Sequence, residues 1–308
     1  NTQKMVFIDS MVVGKTEFLK YYKISSEAGV ITDYNRFFRT DSQPYSTVYI
    51  NQLGNKCWFA KSGKLYTSDL LNNQWSEPTE LEGLGRFQRT NYPFMLSDGT
   101  TLYFSAISSE VIGGLDIYVS RYDSESGKFL LAENLGLPFN SEANDYMYVV
   151  DELTGIGYFA TDRRQPEGKV CIYTFIPNQK RIIYQSTDMD EDNIASRARI
   201  DRIADTWGNG KARKEALARL EAARKEAERT DELTAGTTDE LTELRHQADV
   251  LEKALALTRN YYAKATESER DKLRGEILQN EHDLEALLLS IRQKEKEYRN
   301  AQYLEQHK

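Results

Sequence analysis

The stretch of residues 92–122 constrains the fold of this chain most, because it reads as a run of short antiparallel strands. Asp98-Gly99 stands between two apolar runs, and this dipeptide favours a tight β-hairpin since glycine adopts positive φ without steric cost. After a polar insert, residues 115–122 alternate in a two-residue period and are rich in β-branched and aromatic side chains. We therefore predict three consecutive antiparallel strands here.

The same pattern recurs on both sides of this stretch. Aromatic pairs mark the equivalent strand of three copies at intervals of 45 and 55 residues: Trp58-Phe59, Tyr103-Phe104 and Tyr158-Phe159. A second set falls into register as the strand that follows: Leu65-Tyr66, Ile117-Tyr118 and Ile172-Tyr173. Periods of about 40 to 50 residues with four short strands each are typical of a β-propeller. An irregular antiparallel sandwich whose turns recur is the alternative.

Residues 5–40 form the least regular copy, so about four blade-like units account for residues 1–185. Closed propellers usually have four to eight blades. The array therefore either closes as a small propeller or stays open and is covered by a partner or by helices from elsewhere in the chain.

Two phrases of the third copy, Ser97-Asp98-Gly99-Thr100-Thr101-Leu102-Tyr103-Phe104-Ser105 and Gly113-Gly114-Leu115-Asp116-Ile117-Tyr118, resemble the WD40-like (PD40) repeat of TolB-type propellers. That family is common among exported envelope proteins of Gram-negative bacteria. The resemblance covers roughly residues 45–175. The fourth copy departs from it with Gly168-Lys169-Val170-Cys171, and the second keeps only Gly63-Lys64-Leu65-Tyr66.

The resemblance implies a propeller fold, a place in the cell envelope and a structural role for Asp116. It implies little about activity, because one fold supports many functions. The chain opens on Asn1 rather than Met, and we expect that an export signal preceded it. The expected location is therefore periplasmic or associated with the outer membrane.

Composition narrows the classes of partner. The 308 residues fit about two domains. A net charge of −8 and a pI of about 5.2 argue against nucleic acid, which is bound through clustered Lys and Arg. The sequence contains no apolar run of the roughly 18 residues that a transmembrane helix requires.

Neither a metal, a cofactor nor a catalytic residue is expected. Cys57 and Cys171 lie in predicted strands and are interpreted as small buried apolar residues. The three histidines (His246, His282 and His307) all lie in the distant C-terminal part, so no zinc site is predicted.

The sequence also lacks a nucleophile elbow, a phosphate-binding loop and a His-Glu-x-x-His motif. The carboxylates considered for glycoside hydrolysis are Asp98, Asp116, Asp145 and Asp162. They are explained as turn, structural or strand-end residues, so the chain is not expected to be an enzyme.

Residues 186–210 are interpreted as an acidic linker and a short helix that ends near Trp207. The run from Asp188 resembles a calcium loop only superficially. The sixth and twelfth positions are Asn193 and Arg199 instead of the Gly and Glu that an EF-hand needs. Acidic residues here also favour the start of the next helix.

Residues 211–308 are predicted to be a helical coiled-coil domain. A first helix is expected to end at Gly236, followed by a capping box at Thr237-x-x-Glu240 and another at Thr266-x-x-Glu269. Apolar residues at alternating spacings of three and four mark the two seams: Leu241, Leu244, Ala248, Leu251, Leu255, Thr258 and Tyr262, then Leu273, Ile277, Asn280, Leu284, Leu287, Ile291, Lys294, Tyr298 and Ala301. The second capping box lies between the two seams, where the alternation of three and four is interrupted. An antiparallel hairpin is therefore preferred to a continuous rod.

Leu278, Leu288 and Leu289 lie beside the second seam and broaden its apolar face. Such a face needs a further neighbour, either another helix of this chain or a second chain. Both alternatives stay open.

The sequence as a whole predicts a multidomain β-then-α protein. We expect a non-catalytic interaction or scaffold component of the bacterial envelope that binds protein, with the propeller as recognition head and the coiled coil as assembly arm. The binding residues are unknown at this stage. A glycan-binding or glycan-cleaving propeller is the alternative.

Overall fold

A computed structural model describes residues 2–43, 45–71, 74–109, 113–178 and 180–306. Within these ranges, the side chains of residues 224, 226–239, 242, 246, 249 and 295–306 are outside the description. Internal contacts divide the chain into two compact units, Asn1–Lys225 and Glu226–Lys308. The domain boundaries at 185 and 210 that we drew from composition stay predictions.

The first unit is built mainly from antiparallel strands joined by tight turns. The strands are β1 (Val6–Gly14), β2 (Val30–Asp33), β3 (Thr47–Ile50), β4 (Lys56–Lys61), β5 (Lys64–Leu71), β6 (Gln74–Trp75), β7 (Thr79–Glu80), β8 (Arg89–Met95), β9 (Thr101–Ile107), β10 (Asp116–Asp123), β11 (Lys128–Phe129), β12 (Glu133–Asn134), β13 (Asp145–Asp151), β14 (Ile156–Thr161) and β15 (Lys169–Ile176). A short helix, α1 (Tyr34–Phe38), follows β2 and is capped by Asp33, whose carboxylate accepts from the Arg36 amide at 2.9 Å.

The described strands form three sheets. The first has the order β2-β3-β4-β5-β6 with β7 beside β5, the second β11-β10-β9-β8 with β12 beside β10, and the third β1-β15-β14-β13. The expectation of a separate repeat unit at residues 5–40 is wrong. β1 pairs with β15 at the far end of the unit, and β2 joins β3 in the next sheet.

The alignment of the three copies on their aromatic pairs is confirmed, because the aligned residues lie at equivalent places in the three sheets. In each sheet a Phe of the second repeat strand lies opposite a Tyr of the third, in the pairs Phe59–Tyr66, Phe104–Tyr118 and Phe159–Tyr173. All three pairs are stacked, with ring centroids 6.0, 6.0 and 5.4 Å apart. One cross-strand contact is therefore repeated at the same place in each sheet.

The predicted hairpin at Asp98-Gly99 joins β8 to β9. Gly99 has φ of 66°, and the Asp98 carboxylate accepts from the amides of Thr100 and Thr101 at 2.7 and 2.8 Å. These hydrogen bonds lower the pKa of Asp98 against the opposing effect of its partial burial. Asp98 is thus a turn residue, as expected.

Aromatic side chains pack beside β8 and β13, which are the end strands of the second and third sheets. Two 3₁₀ turns, Phe18–Tyr21 and Ser26–Ala28, cross this region. Phe18 contacts Tyr92 edge-on at 6.0 Å, and the Tyr22 hydroxyl donates to the Met147 carbonyl at 2.8 Å. Tyr92 and Met147 both have positive φ, and each lies in a β-bulge. The bulge thus exposes a carbonyl that the crossing segment uses.

The outer edge of β1 is covered by side chains from the segment that follows the sheets. The Phe7 amide donates to Thr206 Oγ1 at 3.0 Å, and Trp207 Nε1 donates to the Phe7 carbonyl at 2.8 Å. Arg213 Nε donates to the Ile8 carbonyl at 3.2 Å, and its guanidinium lies 3.8 Å from the Trp207 ring. An edge whose backbone groups are bonded in this way offers less to a foreign strand.

α2 (Glu191–Arg199) begins in the acidic linker. The Asp190 carboxylate accepts from the Asn193 amide at 2.8 Å, so the acidic run starts the helix as predicted. The helix is shorter than expected. It ends before Ile200, which has φ of 54°, and a separate 3₁₀ turn (Ile203–Thr206) precedes Trp207.

α3 (Lys211–Lys264) begins against the first unit, where Ala216 and Leu220 are buried in its core. It continues past Gly236, so the predicted break there is wrong. A single glycine costs a helix only about 1 kcal/mol, and the rest of α3 is rich in Ala, Glu, Lys and Arg, which are strong helix formers. Thr237 lies within α3, so the helix start predicted there is also wrong, and the Thr237 side chain is outside the description.

In the second unit, α3 and α4 (Glu267–Gln306) form the helical hairpin that we preferred to a rod. The Thr266 amide donates to Glu269 Oε2 at 3.0 Å, which confirms the second capping box. Ion pairs join the helices in antiparallel register, Arg259 to Glu281 at 2.6 Å and Lys294 to Glu240 at 2.9 Å. Buried Leu241, Ala248 and Ile291 lie between them, while the seam residues Tyr298 and Ala301 are outside the described side chains.

Among the described residues, no helix combines the length with the apolar composition that crossing a bilayer requires.

Candidate functional site

Two cavities lie at opposite ends of β8, one lined by Arg89, Thr90 and Asn91 and the other by Phe94 and Met95. One lies beside the turns that follow β3, β8 and β13, and we call it the turn-face cavity. The other lies where β8 begins, and we call it the Arg89 cavity. Sequence analysis predicted neither, because the lining residues come from segments far apart in the chain.

The turn-face cavity has a volume of about 320 Å³ and an apolar floor under a polar rim. Its lining residues are Glu27, Ala28, Gln52, Phe94, Met95, Ser97, Val150, Glu152 and Leu153. Phe94 and Met95 are buried, whereas Glu27 and Glu152 are exposed. The Ser97 hydroxyl donates to Glu152 Oε2, which ties the β8 turn to the β13 turn across the cavity.

One large exposed apolar side chain lines this cavity, and a second follows a lining residue in the chain. Leu153 lines it and is 70 % exposed, and Leu53, next to the lining residue Gln52, is 74 % exposed. Leu53 lies in the turn after β3, and Leu153 lies in the turn after β13. Apolar side chains in tight turns were the sequence signal that could have pointed to this surface, since such turns are usually polar.

The Arg89 cavity has a volume of about 360 Å³ and polar walls. It is lined by Gln43, Ser46, Ser62, Gly63, Gln88, Arg89, Thr90 and Asn91. Hydrogen bonds hold its walls in place. Thr90 Oγ1 donates to the Gly63 carbonyl at 3.0 Å, and Asn91 Nδ2 donates to the Tyr45 carbonyl at 2.9 Å. Arg89 is the one charged group in this lining.

Asp145 and Asp116, two of the carboxylates considered for hydrolysis, are buried. Asp145 pairs with Arg163, from whose Nη2 it accepts at 2.8 Å, and also accepts from the Ser141 amide at 2.6 Å. Arg163 is itself 6 % exposed and donates to the carbonyls of Pro138 and Phe139. Burial raises the pKa of Asp145 against the opposing effect of the Arg163 charge.

Asp116 accepts from Asn134 Nδ2 at 2.8 Å through Oδ2, while its Oδ1 has no hydrogen-bond partner among the described residues. Burial raises the pKa of Asp116 to about 6, and the nearby Asp145 carboxylate adds to the rise. With only 3 % of its surface exposed, Asp116 lies inside the sheet and away from any substrate in solution.

Asp162 lies at the end of β14 and is held by several donors. Its carboxylate accepts from the Tyr146 hydroxyl at 2.5 Å and the Asn144 amide at 2.8 Å, and it pairs with Lys15 at 3.4 Å. Burial alone would raise the pKa of Asp162, but these hydrogen bonds and the Lys15 charge outweigh it and lower the pKa. The carboxylate thus links β1, β13 and β14.

Cys57 and Cys171 are free and buried. Burial raises the pKa of the Cys57 thiol to about 12 and that of the Cys171 thiol in the same direction. Thiols in such surroundings are poor nucleophiles and poor metal ligands. Among the described residues, no three His, Cys, Asp or Glu side chains come together in a way that would hold a metal ion.

The helical hairpin leaves apolar side chains uncovered. Leu278 and Leu289 are each 58 % exposed and Leu288 is 45 % exposed on α4, and Leu257 and Tyr261 are 62 % and 70 % exposed on α3. The face that the sequence predicted to need a further neighbour is thus exposed in the described part of the chain.

Comparison of the chain with protein-family models, with curated protein sequences and with solved structures gave no match.

Proposed function

We propose that this protein is a non-catalytic interaction protein of the bacterial envelope. The first compact unit, Asn1–Lys225, which we call the β unit, is its recognition head, and the helical hairpin is its assembly element. The turn-face cavity is the observation that carries the proposal. It combines an apolar floor, exposed Leu153 and the exposed carboxylates of Glu27 and Glu152, and exposed Leu53 follows its lining residue Gln52.

This combination suits a protein segment with a basic residue beside an apolar one. Covering the side chain of Leu53 or Leu153 contributes at most about 1.5 to 3 kcal/mol. Glu27 and Glu152 attract Lys or Arg and repel acidic segments, which adds specificity and speeds association. Exposed apolar side chains around a concave floor are typical of interaction sites.

The finer architecture belongs to the same proposal. We take the three sheets as blades of a small propeller-like array, because each repeats the Phe–Tyr register and β1 completes the sheet of β13–β15. When the first strand of a chain joins the last sheet of a ring, the ring is closed and no sheet is left at an open end. The similarity of residues 97–105 and 113–118 to the TolB-type repeat supports the same fold and an envelope location.

The helical hairpin is proposed to pair with a helix of another protein or of a second copy. Its exposed leucines support this role, because hairpins of this length bury such side chains when they assemble. The proposal requires no cofactor.

A glycan-related function is the second candidate. The buried and hydrogen-bonded states of Asp116 and Asp145 give no support to glycan cleavage. The Arg89 cavity, with its polar walls, favours glycan binding.

The test is cross-linking of the tagged full-length chain in the cells that produce it, followed by mass spectrometry. Leu53→Asp/Leu153→Asp changes the turn face, and Leu278→Glu/Leu289→Glu changes the hairpin. Ile182→Asp is the matched control, because Ile182 is 51 % exposed and lies on the segment bonded to Lys4.

We expect partners that cross-link near the turn face to be lost in the first double variant and kept in the control. Partners that cross-link to α4 should be lost only in the second double variant. Retention of every partner by both double variants would contradict the proposal.

A further inference from the structure

We propose that the Arg89 cavity binds a sugar acid, meaning a monosaccharide unit that carries a carboxylate. This function goes beyond protein binding at the turn face and does not depend on it, because the two cavities lie at opposite ends of β8.

The charge of the Arg89 cavity favours an anionic ligand. The protein carries a net charge of −8, yet the residues that line this cavity include Arg89 and no Asp or Glu. The Arg89 side chain is exposed and forms no hydrogen bond or ion pair within the described ranges. Glu80, which lies on the strand next to β5, is engaged by Lys64 at 2.8 Å. An anion that enters the cavity therefore meets an available guanidinium.

The polar walls of the Arg89 cavity favour a ligand that carries hydroxyls. Gln43 Oε1 accepts from the Ser62 backbone amide at 3.0 Å. This hydrogen bond fixes the orientation of the Gln43 carboxamide and leaves Gln43 Nε2 as a donor. The hydroxyls of Ser46 and Ser62 and the amide of Gln88 add further groups that donate and accept. A ligand covered with hydroxyls satisfies such walls, whereas a peptide side chain would bring apolar surface against them.

The walls are also rigid before any ligand arrives. Ser62 and Gly63 form the two-residue turn between β4 and β5, with φ of 51° and 79°. The Gly63 carbonyl of this turn accepts from both the amide and the hydroxyl of Thr90, at 2.8 and 3.0 Å. The first sheet is thus held to the start of β8, and little ordering is left for the ligand to drive.

Charge and size then select the ligand class. A guanidinium binds a carboxylate through two parallel hydrogen bonds. The volume of about 360 Å³ lies at the lower end of the range of small-molecule sites, roughly 300 to 1,000 Å³. One Arg in neutral walls suits a singly charged carboxylate better than a doubly charged phosphate.

The experiment is ligand-observed NMR titration of the full-length protein with glucuronate. Glucose is the matched neutral sugar and acetate the matched bare carboxylate. Arg89→Gln removes the charge, and Arg121→Gln is the control because Arg121 is an exposed arginine on β10 in the same sheet as Arg89. Unchanged circular dichroism confirms that each variant is folded.

We expect saturable glucuronate binding with a Kd of about 0.1 to 10 mM, weakened at least tenfold by Arg89→Gln and unaffected by Arg121→Gln. The turn-face variant Leu53→Asp/Leu153→Asp should bind glucuronate as the wild type does, which separates this proposal from the preceding one. The proposal is overturned if glucuronate does not saturate, if glucose or acetate binds as tightly, or if Arg89→Gln binds unchanged.

Discussion

Arg163 donates to Asp145 at 2.8 Å inside the third sheet, and both side chains are buried. The same guanidinium donates to the carbonyls of Pro138 and Phe139, so one side chain connects β13 to the loop before it. The pair is therefore a structural tie between the end of β14 and the start of β13.

Arg163→Met should destabilise the β unit by roughly 3 to 5 kcal/mol, because it leaves the Asp145 carboxylate buried without its counter-charge. The measurement is urea unfolding followed by tryptophan fluorescence, which reports the β unit since Trp58, Trp75 and Trp207 all lie there. Asp145→Asn combined with Arg163→Met should recover part of the loss. A cost under about 1 kcal/mol for the single variant would show that the tie is dispensable.

Asp116 should make the β unit less stable as pH rises. Burial raises its pKa to about 6 in the folded protein, above the ordinary value of 3.8 for an aspartate, so the folded state binds more protons between these values. The free energy of unfolding therefore falls as pH rises from about 4 to 6 and is constant beyond.

Asp116→Asn removes this dependence, since asparagine does not titrate. We expect the free energy of unfolding of the variant, relative to the wild type, to increase by about 1 to 3 kcal/mol between pH 4 and 7. Urea unfolding at pH 4.5, 5.5 and 7 measures the difference. Parallel pH profiles for the two proteins would mean that Asp116 titrates normally.

β1 should contribute strongly to the stability of the β unit. Phe7 is 1 % exposed and contacts Tyr173 at 5.7 Å and Phe175 at 6.3 Å. Phe7→Ala should cost about 3 to 5 kcal/mol, through lost burial and the cavity left behind. Val12→Ala is the control on the same strand, since Val12 is 56 % exposed, and should change stability by less than about 0.5 kcal/mol. Equal effects of the two variants in urea unfolding would argue against sheet closure by β1.

The hairpin seam should distinguish two neighbouring leucines of α3. Leu255 is 3 % exposed and Leu257 is 62 % exposed. Leu255→Ala should loosen the hairpin by about 2 to 5 kcal/mol, whereas Leu257→Ala should have little effect on the isolated protein. Hydrogen exchange of the α3 and α4 amides is the measurement. Faster exchange in Leu257→Ala alone would place the seam on the other face.

Local pattern predicted much of this fold. The strands that carry Phe159 and Tyr173 and the turn at Asp98 follow from two-residue alternation and from turn chemistry, which depend on neighbouring residues. The pairing of β1 with β15 was missed because no local pattern specifies which distant edge a strand joins. The break expected at Gly236 failed for a related reason, since a local glycine penalty is small beside the stability of a long helix.

The candidate sites were the least predictable part. Arg89 and Gln43 reach one cavity through the turn between β4 and β5, and nothing in their spacing indicates it. Leu53 and Leu153 were visible as apolar turn residues, but their common surface depends on how the sheets are arranged.

The pairing of β1 with β15 also sets an order of events during synthesis. Val6–Gly14 is synthesised long before its partner strand, which begins only at Lys169. At about 5 to 20 residues per second, the first strand waits roughly 8 to 30 s before its neighbour has been made. During that interval its edge is open to any passing chain, so this unpaired strand is where the nascent protein most needs chaperone protection.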